Sequence, residues 1–192
     1  MNFDKQKSNI LKKMDESDMS RKGFIDEDIL DLINKINKNP NYCTTSSCSG
    51  RIVLIDLRAR LKSENEWLLS KHSPITLEDF DEAITEKEVK GVLWFKQEPV
   101  ILHVMCRDVS SVKKFILLSQ RAGFKQIGVI SLPRNIVEII GSESMSLPVY
   151  SEKLLINDDY KKFIVDEANR KLLVAKSAIE KMYSLFEEVC SD

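Results

Sequence analysis

The C-terminal segment contains the pattern that most restricts the fold of this chain. Apolar residues recur there every three or four positions, a spacing that places side chains on one face of an α-helix. It predicts a helix over residues 158–189, about 45 Å long at 1.5 Å per residue. We expect this helix to pack across a β-sheet or to bracket it. Its apolar face contains Tyr160, Ile164, Ala168, Leu172, Ala175, Ile179, Met182 and Phe186.

Four shorter helices are predicted upstream. Two lie within residues 1–38, and Thr76 begins the pattern of a capping box that opens a third. Ser110 is predicted to cap a fourth helix that Gly123 ends, because glycine readily adopts the left-handed conformation found after helix C-termini. The charged segment from Asp18 to Gly23 indicates a solvated linker, although contact with a substrate stays open.

Between these helices, β-rich apolar runs predict a sheet over residues 42–150. Several strands follow one another without a crossover helix, and two of them are joined or bent around Pro99. We therefore predict an α+β fold with a mixed β-sheet flanked by helices, in a single domain over residues 1–192. No G-x-G-x-x-G follows the first predicted strand, so the fold is not expected to be of the Rossmann type.

Composition bears on location and on partners. The chain has 192 residues and a formal net charge of −1, so an RNA partner would have to be held by a local basic patch. No apolar run approaches the roughly 18 residues of a membrane span, and the charged N-terminus is unlike a secretory signal, which predicts a cytoplasmic protein. The four cysteines lack C-x-x-C spacing, so we expect free thiols and no metal site.

A polar stretch, TTSSCSGR over residues 44–51, precedes the first buried strand. Hydroxyls and backbone N–H groups can surround a carboxylate or a phosphate, and Arg51 can bind such a group through two parallel hydrogen bonds. Gly50 would let the backbone approach the ligand closely. The alternative is an ordinary turn rich in serine and threonine, which composition alone favours.

Polar side chains alternate with apolar ones along two later strands. In a strand, alternate residues share a face, so Trp94, Lys96 and Glu98 lie together before the proline. His103 and Arg107 lie together after it, and their burial is costly without partners. The pattern fits a cleft that binds a polar ligand, or an ion pair at a sheet edge between Glu98 and either Lys96 or Arg107.

A third candidate is His72, at the end of a short strand predicted over WLLSKH. A single histidine in such a place is more often a surface residue than a catalytic one. Trp67 and Trp94 are core residues by default, and the alternative is that they stack on a nucleic-acid base.

In combination, these strings resemble the tRNA wybutosine-synthesising protein 3 family. The resemblance rests on TTSSCSGRI, WLLSKH and LWFKQEPVILHVMCR, and it continues through IVEIIGSESMSLPV and EANRKLLVAKSAIEKMY, so it spans nearly the whole chain. SSCSGR and FKxEPxILHVxCR are specific together, with Gln97 at a variable position. The resemblance implies a methyltransferase that uses S-adenosylmethionine. It also implies that the acceptor is N4 of a tricyclic wyosine-type base at position 37, in the anticodon loop of phenylalanine tRNA.

The resemblance also suggests roles for the matching residues, which we expect to line one cleft. A base that takes a proton from the acceptor nitrogen would assist the transfer. The candidates for catalysis are His103, Glu98 and His72; for the cofactor, Ser47, Ser49, Gly50 and Arg51; for the substrate, Lys96, Arg107 and Trp94. The alternative is a non-catalytic tRNA-binding protein that uses the same cleft. The sequence leaves open which motif holds the cofactor, which wyosine-type precursor is used, and the oligomeric state.

Overall fold

The computed structural model describes residues 2–18, 26–58 and 65–190, so Ser20, Lys22 and Gly23 of the predicted linker lie outside the described residues. The helices are Phe3–Asp18 (α1), Glu27–Lys38 (α2), Leu77–Thr85 (α3), Val109–Ala122 (α4) and Asp158–Cys190 (α5). The strands are Tyr42–Cys48 (β1), Arg51–Leu57 (β2), Glu66–Lys71 (β3), Val92–Glu98 (β4), Ile101–Cys106 (β5), Gln126–Ser131 (β6), Ile136–Ile140 (β7), Met145–Ser151 (β8) and Lys153–Leu154 (β9). As far as the described residues extend, none of these helices is both long and apolar enough to cross a membrane.

The chain divides into two compact units, each assembled from separate stretches of sequence. Unit 1 contains residues 1–49, 100–142 and 176–192, and unit 2 contains residues 50–99 and 143–175. Helix α5 begins in unit 2 and ends in unit 1. The prediction of a single domain over residues 1–192 stays a prediction.

Unit 1 is built on a four-stranded antiparallel sheet in the order β1-β5-β7-β6. On one face, Tyr42 of β1 packs between Phe115 of α4 and Phe186 of α5, with ring centroids 5.6 and 5.7 Å apart. Successive residues of a strand point to opposite faces, so Cys43 faces the other way. There it packs with Met105 against apolar residues of α1. Helices therefore cover both faces of this sheet, with α1 on the face of Cys43.

Unit 2 is built on a five-stranded antiparallel sheet in the order β3-β2-β4-β8-β9. Helix α3 and the first part of α5 cover one face, where Phe80 packs edge-on against Phe95 at 5.4 Å and Leu172 is fully buried. Along β4, buried residues alternate with partly exposed ones. The buried set points into this core, and the partly exposed set points to the opposite face.

The α+β class, the long C-terminal helix and the absence of a Rossmann-type fold are confirmed. The predicted mixed sheet is wrong, because the strands of the described residues form two sheets in which every pair is antiparallel. Strand direction depends on where the chain turns back, and apolar runs do not record it. Pro99 separates β4 from β5, which belong to different sheets. Proline has no backbone N–H and cannot donate a hydrogen bond to a neighbouring strand. It therefore suits the position at which the chain leaves one sheet.

Two of the three predicted helix ends are confirmed. The Thr76 side chain accepts a hydrogen bond from the Asp79 backbone at 3.2 Å, as in a capping box, and Gly123 ends α4 with φ 105°. The predicted cap at Ser110 is wrong. Asp108 caps α4 instead, because its carboxylate accepts a hydrogen bond from the Ser111 backbone N–H at 2.8 Å.

Candidate functional site

The predicted site residues of β2 and β4 lie on the face of the unit 2 sheet opposite its core. Strand register places Arg51 directly opposite Glu98, while Lys96 and Trp94 follow at two-residue intervals along β4. Trp67 of β3 points to the same face, since the β2 residue that it pairs with is itself opposite Trp94. The sequence prediction that Trp94, Lys96 and Glu98 share a face agrees with this register.

Arg51 is fixed by a carboxylate on one side and by an indole ring on the other. Its Nε donates to Glu98 Oε2 at 2.6 Å, and its guanidinium carbon lies 4.5 Å from the centroid of the Trp67 ring. The ion pair expected between Glu98 and Lys96 or Arg107 is therefore replaced by a pair with Arg51. About a third of each paired side chain stays exposed, 31% for Arg51 and 32% for Glu98. The pair can present both a cation and a carboxylate to a ligand.

The two indoles provide aromatic surface beside this ion pair. Trp67 is 40% exposed, and Trp94 is half-buried with the Lys96 ammonium 5.7 Å from the centroid of its ring. Exposed indole faces bind flat rings by stacking and cationic groups through the negative face of the π-system. This sheet face can therefore bind an aromatic ring together with charged groups.

His72 and Gly50 are brought together at one end of the same sheet. Gly50 has φ 88°, a left-handed conformation that side chains disfavour, and its carbonyl oxygen lies 2.9 Å from His72 Nδ1. This contact joins the end of β3 to the residue that precedes β2. His72 is therefore placed to hold the backbone of the SSCSGR motif.

The hydroxyl-rich stretch before Gly50 is a strand, β1, and not the turn that composition favoured. Ser46 lies opposite His103, whereas Ser47 lies opposite the buried Leu102 and so faces the other side of the unit 1 sheet. Ser49 is fully buried, and its backbone N–H donates to Asp26 Oδ2 at 2.7 Å. The two predicted serines thus occupy different environments, since only Ser47 is partly exposed.

His103 lies within hydrogen-bonding distance of Glu138, an acid that the sequence analysis did not single out. Its Nε2 lies 2.6 Å from Glu138 Oε2, and both side chains are partly exposed. β1 contributes Ser46 opposite His103, and β6 contributes Gly128 opposite Glu138, where an added Cβ would meet no atom within 4 Å. The available signal was an acid in the middle of the apolar strand IVEII, which is costly to bury without a partner.

Arg107 is occupied by contacts at the end of β5. Its guanidinium forms a two-pronged ion pair with Asp4, donates to the Pro40 carbonyl oxygen at 2.8 Å, and stacks 4.6 Å from the centroid of the Phe3 ring. The hydrogen bond to Asp4 raises the pKa of Arg107. These contacts attach α1 to the sheet and engage the Arg107 guanidinium. The predicted role of Arg107 in substrate binding stays a prediction.

Three cysteines of the described residues, Cys43, Cys48 and Cys106, are free. Burial raises the pKa of Cys106 to about 12, with a smaller contribution from Asp108, so this thiol stays protonated at neutral pH. Burial also raises the pKa of Cys43. A protonated thiol is a poor metal ligand and nucleophile. The prediction that the protein has no metal site stays a prediction.

The ten predicted site residues fall into two groups. Unit 2 brings together the polar sheet face and its turn, with Gly50, Arg51, His72, Trp94, Lys96 and Glu98. Unit 1 contains Ser47, Ser49, His103 and Arg107, with Arg107 engaged apart from the others. The prediction that all of them line one cleft stays a prediction.

Comparison with known proteins gives a consistent set of relatives. The sequence profile of the family described as Methyltransferase TYW3 matches residues 5–188. The tRNA(Phe) 7-((3-amino-3-carboxypropyl)-4-demethylwyosine(37)-N(4))-methyltransferase 2 of Pyrococcus abyssi is 36% identical over 88% of this chain and 83% of its own length. The corresponding methyltransferase of Archaeoglobus fulgidus is 35% identical over 88% and 89%. The structure of the PH1069 protein from Pyrococcus horikoshii superposes with a TM-score of 0.89 at 32% identity, covering 96% of both chains.

Proposed function

The chain belongs to the TYW3 methyltransferase family, and on that premise we propose that it methylates tRNA(Phe) at N4 of the 4-demethylwyosine derivative at position 37. The methyl donor of this reaction is S-adenosylmethionine. When bound, the donor supplies a methyl group on a positively charged sulfur. The observation that carries this conclusion is the family match over residues 5–188, which includes every motif that the sequence singled out.

The cofactor fits the chemistry of the unit 2 sheet face. S-adenosylmethionine carries a carboxylate, an ammonium group, a sulfonium and an adenine ring. Arg51 suits the carboxylate, its partner Glu98 suits the ammonium group, and the exposed Trp67 suits the adenine or the sulfonium. We assign cofactor binding to this set, with the Gly50 backbone beside it. Glu98 orients Arg51 in this scheme and does not take a proton.

A contact within unit 2 supports this cofactor site. His72 fixes the Gly50 carbonyl and so orients the backbone that leads into Arg51. The predicted contacts of Ser47 and Ser49 with the cofactor stay predictions. Holding a donor in one orientation lowers the entropic part of the barrier to methyl transfer.

Substrate binding is assigned to Trp94 and Lys96, which lie side by side on β4. An indole face stacks on a nucleic-acid base, and the ammonium group binds a phosphate of the backbone. We expect Trp94→Ala to raise the KM for tRNA more than that for S-adenosylmethionine. The conservative variant Trp94→Phe should recover part of the loss because it keeps an aromatic face.

His103 is assigned the role of general base. Glu138 accepts a hydrogen bond from His103 Nε2, which leaves Nδ1 as the nitrogen able to accept a proton. His103 would take the proton that the acceptor nitrogen loses when it is methylated. Glu138 is a positioning residue in this step. We expect Glu138→Gln to lower kcat while the KM for S-adenosylmethionine stays unchanged.

The test is methyl incorporation into tRNA(Phe) that carries the demethylated base. The wild-type protein should add one methyl group per tRNA, and Arg51→Ala and His103→Ala should each lower kcat/KM by roughly a hundredfold. Lys181→Ala on α5, an exposed position, is the matched control and should keep full activity. Full methylation by both site variants would show that the site assignment is wrong.

Calorimetry separates the enzyme from a non-catalytic tRNA-binding protein. The enzyme should give a heat of binding with S-adenosylmethionine in the absence of tRNA. A non-catalytic tRNA-binding protein should give no heat, even at millimolar S-adenosylmethionine. We also propose that the reaction takes place in the cytoplasm and needs no metal ion. Methylation should therefore proceed at the same rate after treatment with EDTA, and a rate restored only by an added divalent ion would contradict the metal-free mechanism.

A further inference from the structure

One segment of unit 1 carries a net positive charge because it lacks acidic residues. Residues 109–137 contain five basic residues and no acidic ones, although the whole chain has 29 basic and 30 acidic residues. The remaining 163 residues therefore carry 24 basic and 30 acidic side chains, an excess of six acids. The five cations, which we call the basic strip, are Lys113, Lys114, Arg121, Lys125 and Arg134.

All five side chains of the basic strip are exposed. Within the ranges that the structure describes, Lys113, Lys114, Lys125 and Arg134 have no carboxylate at salt-bridge distance. Basic residues of α5, by contrast, form ion pairs. Lys161 pairs with Asp81, and other cations of α5 also pair with carboxylates. Local acids therefore do not neutralise most of the charge of the strip.

Three cations of the strip lie on α4, and the other two lie in the segments before and after β6. Lys113, Lys114 and Arg121 lie on the solvent side of α4, which is about 20 Å long. Lys125 precedes β6, and Arg134 lies in the turn that joins β6 to β7. β6 is at the end of its sheet, and no strand of the described residues pairs with its outer edge. Lys125 and Arg134 thus lie at the two ends of an exposed edge.

We infer that the basic strip binds the phosphate backbone of the tRNA substrate. The inference rests on the proposed function, because it assigns a surface to the RNA that the reaction requires. A protein with net charge −1 gains affinity for a polyanion only from a local patch, through release of the counterions condensed on the phosphates. Two copies of this chain joined through the strip would oppose five cations to five, which disfavours a dimer here.

The strip and His103 belong to the same unit and lie within reach of one tRNA. Gly128 of β6 is opposite Glu138 of β7, which is opposite His103 of β5. The exposed edge is therefore two strand spacings from His103, roughly 10 Å. α4 covers the face of the sheet opposite to that of His103, so the backbone would pass around the β6 edge, where Gly128 leaves open space.

The experiment compares two charge-reversal pairs in the full chain. Lys113→Glu with Lys114→Glu removes cations of the strip, and Lys153→Glu with Lys162→Glu changes the net charge equally at exposed positions of unit 2. Both lysines are exposed, and glutamate is a good helix former, so folding should be retained. The measurements are the Kd for labelled tRNA(Phe) at several salt concentrations, and kcat and KM for methylation.

We expect the strip variant to bind tRNA roughly tenfold more weakly, and the slope of log Kd against log salt to fall by about two. Its KM for tRNA should rise while kcat at saturating tRNA is kept, because phosphate contacts bind substrate and transition state alike. The control pair should match the wild type. An equal loss in the control pair would mean a general charge effect and would overturn the inference.

Failure of the inference and failure of the proposed function give different results. If the wild type methylates tRNA and the strip variant binds with unchanged Kd, the strip is not the RNA surface but the function stands. If the wild type binds tRNA through the strip and never methylates it, the function fails.

The strip also has exposed apolar neighbours, Leu117, Ile130 and Leu132. Binding of the wild type, but not of the strip variant, to phosphatidylserine vesicles, with tRNA affinity unchanged, would assign the strip to a membrane surface instead.

Discussion

Gly91 and Gly128 lie in strand-forming regions of the two sheets, yet their surroundings differ completely. A Cβ at Gly91 would overlap the Leu57 carbonyl and lie 2.9 Å from Asp56 Oδ1. The backbone N–H of Gly91 also donates to that carboxylate at 2.8 Å. Burial raises the pKa of Asp56, but hydrogen bonds from Arg58 and from two backbone N–H groups outweigh it and hold the pKa below the usual value. A Cβ at Gly128 would meet no atom within 4 Å.

This contrast predicts opposite outcomes for the same substitution. Gly91→Ala should destabilise the protein by more than about 3 kcal/mol, because backbone atoms must move to admit the methyl group. Gly128→Ala should change the free energy of unfolding by less than about 0.5 kcal/mol, since the methyl group enters open space. Urea denaturation of both variants measures the difference. Equal stability of the two variants would contradict the packing at Gly91.

Single-residue predictions succeeded where one strand carried the information. The two-residue period of β4 was enough to place Trp94, Lys96 and Glu98 on one face. The partner of Glu98 was not predictable in this way, because Arg51 becomes its neighbour only through the register between β2 and β4. Glu138 was missed for the same reason, since a single sequence does not show which strand lies opposite β7.

At the level of elements, β1 shows how a strand can look like a turn. Serine and threonine favour turns when they occur together, and glycine follows them here. Threonine is also β-branched and suits strands, and the stretch becomes a strand because β5 supplies a complete antiparallel partner. Composition cannot decide between the two, because the deciding partner lies more than fifty residues away along the chain.

The start of α4 offers a direct test of the corrected cap. Asp108→Ala should lower Tm by roughly 2–4 °C at neutral pH, because two groups of Ser111 lose their acceptor, the backbone N–H and the hydroxyl. Ser110→Ala, the position that the sequence favoured, is the matched control and should leave Tm almost unchanged. If Ser110→Ala lowered Tm more than Asp108→Ala, the assigned cap would be wrong.

The same cap predicts a dependence on pH. Hydrogen bonds from the Ser111 backbone and side chain lower the pKa of Asp108 in the folded protein. A carboxyl group with a depressed folded pKa stabilises the protein above its unfolded pKa of about 3.9, and this contribution is lost as pH falls through the folded value. The difference in Tm between wild type and Asp108→Ala should therefore be full at pH 7 and shrink below about pH 4. Thermal melts over this range measure it.

At the level of the whole molecule, sequence periodicity predicted the class and the long helix but not the division into two units. The 33 residues of α5 carry one continuous apolar seam, although its first part belongs to unit 2 and its last part to unit 1. Nothing in a periodic pattern marks such a change of neighbours. Net charge did not indicate an RNA-binding surface either. The value of −1 for the whole chain is the sum of a basic strip and an acidic remainder.

The sequence left open which motif holds the cofactor, and stability of the whole chain can decide this. A ligand that binds only the folded state adds about 2.7 kcal/mol at a hundredfold excess over Kd, which raises Tm by several degrees in a chain of this size. We expect S-adenosylmethionine to raise the Tm of the wild type and of His103→Ala equally. Arg51→Ala should lose most of the shift, because the carboxylate of the cofactor loses its cation.

Arg51→Lys is the informative control, since lysine keeps the charge but lacks the planar fork that holds Glu98 and stacks on Trp67. It should give an intermediate shift if geometry matters as well as charge. The opposite pattern, a full shift in Arg51→Ala and none in His103→Ala, would place the cofactor beside His103 and assign Arg51 to the tRNA. Because the measurement needs no RNA and no turnover, it tests the cofactor site independently of the acceptor base.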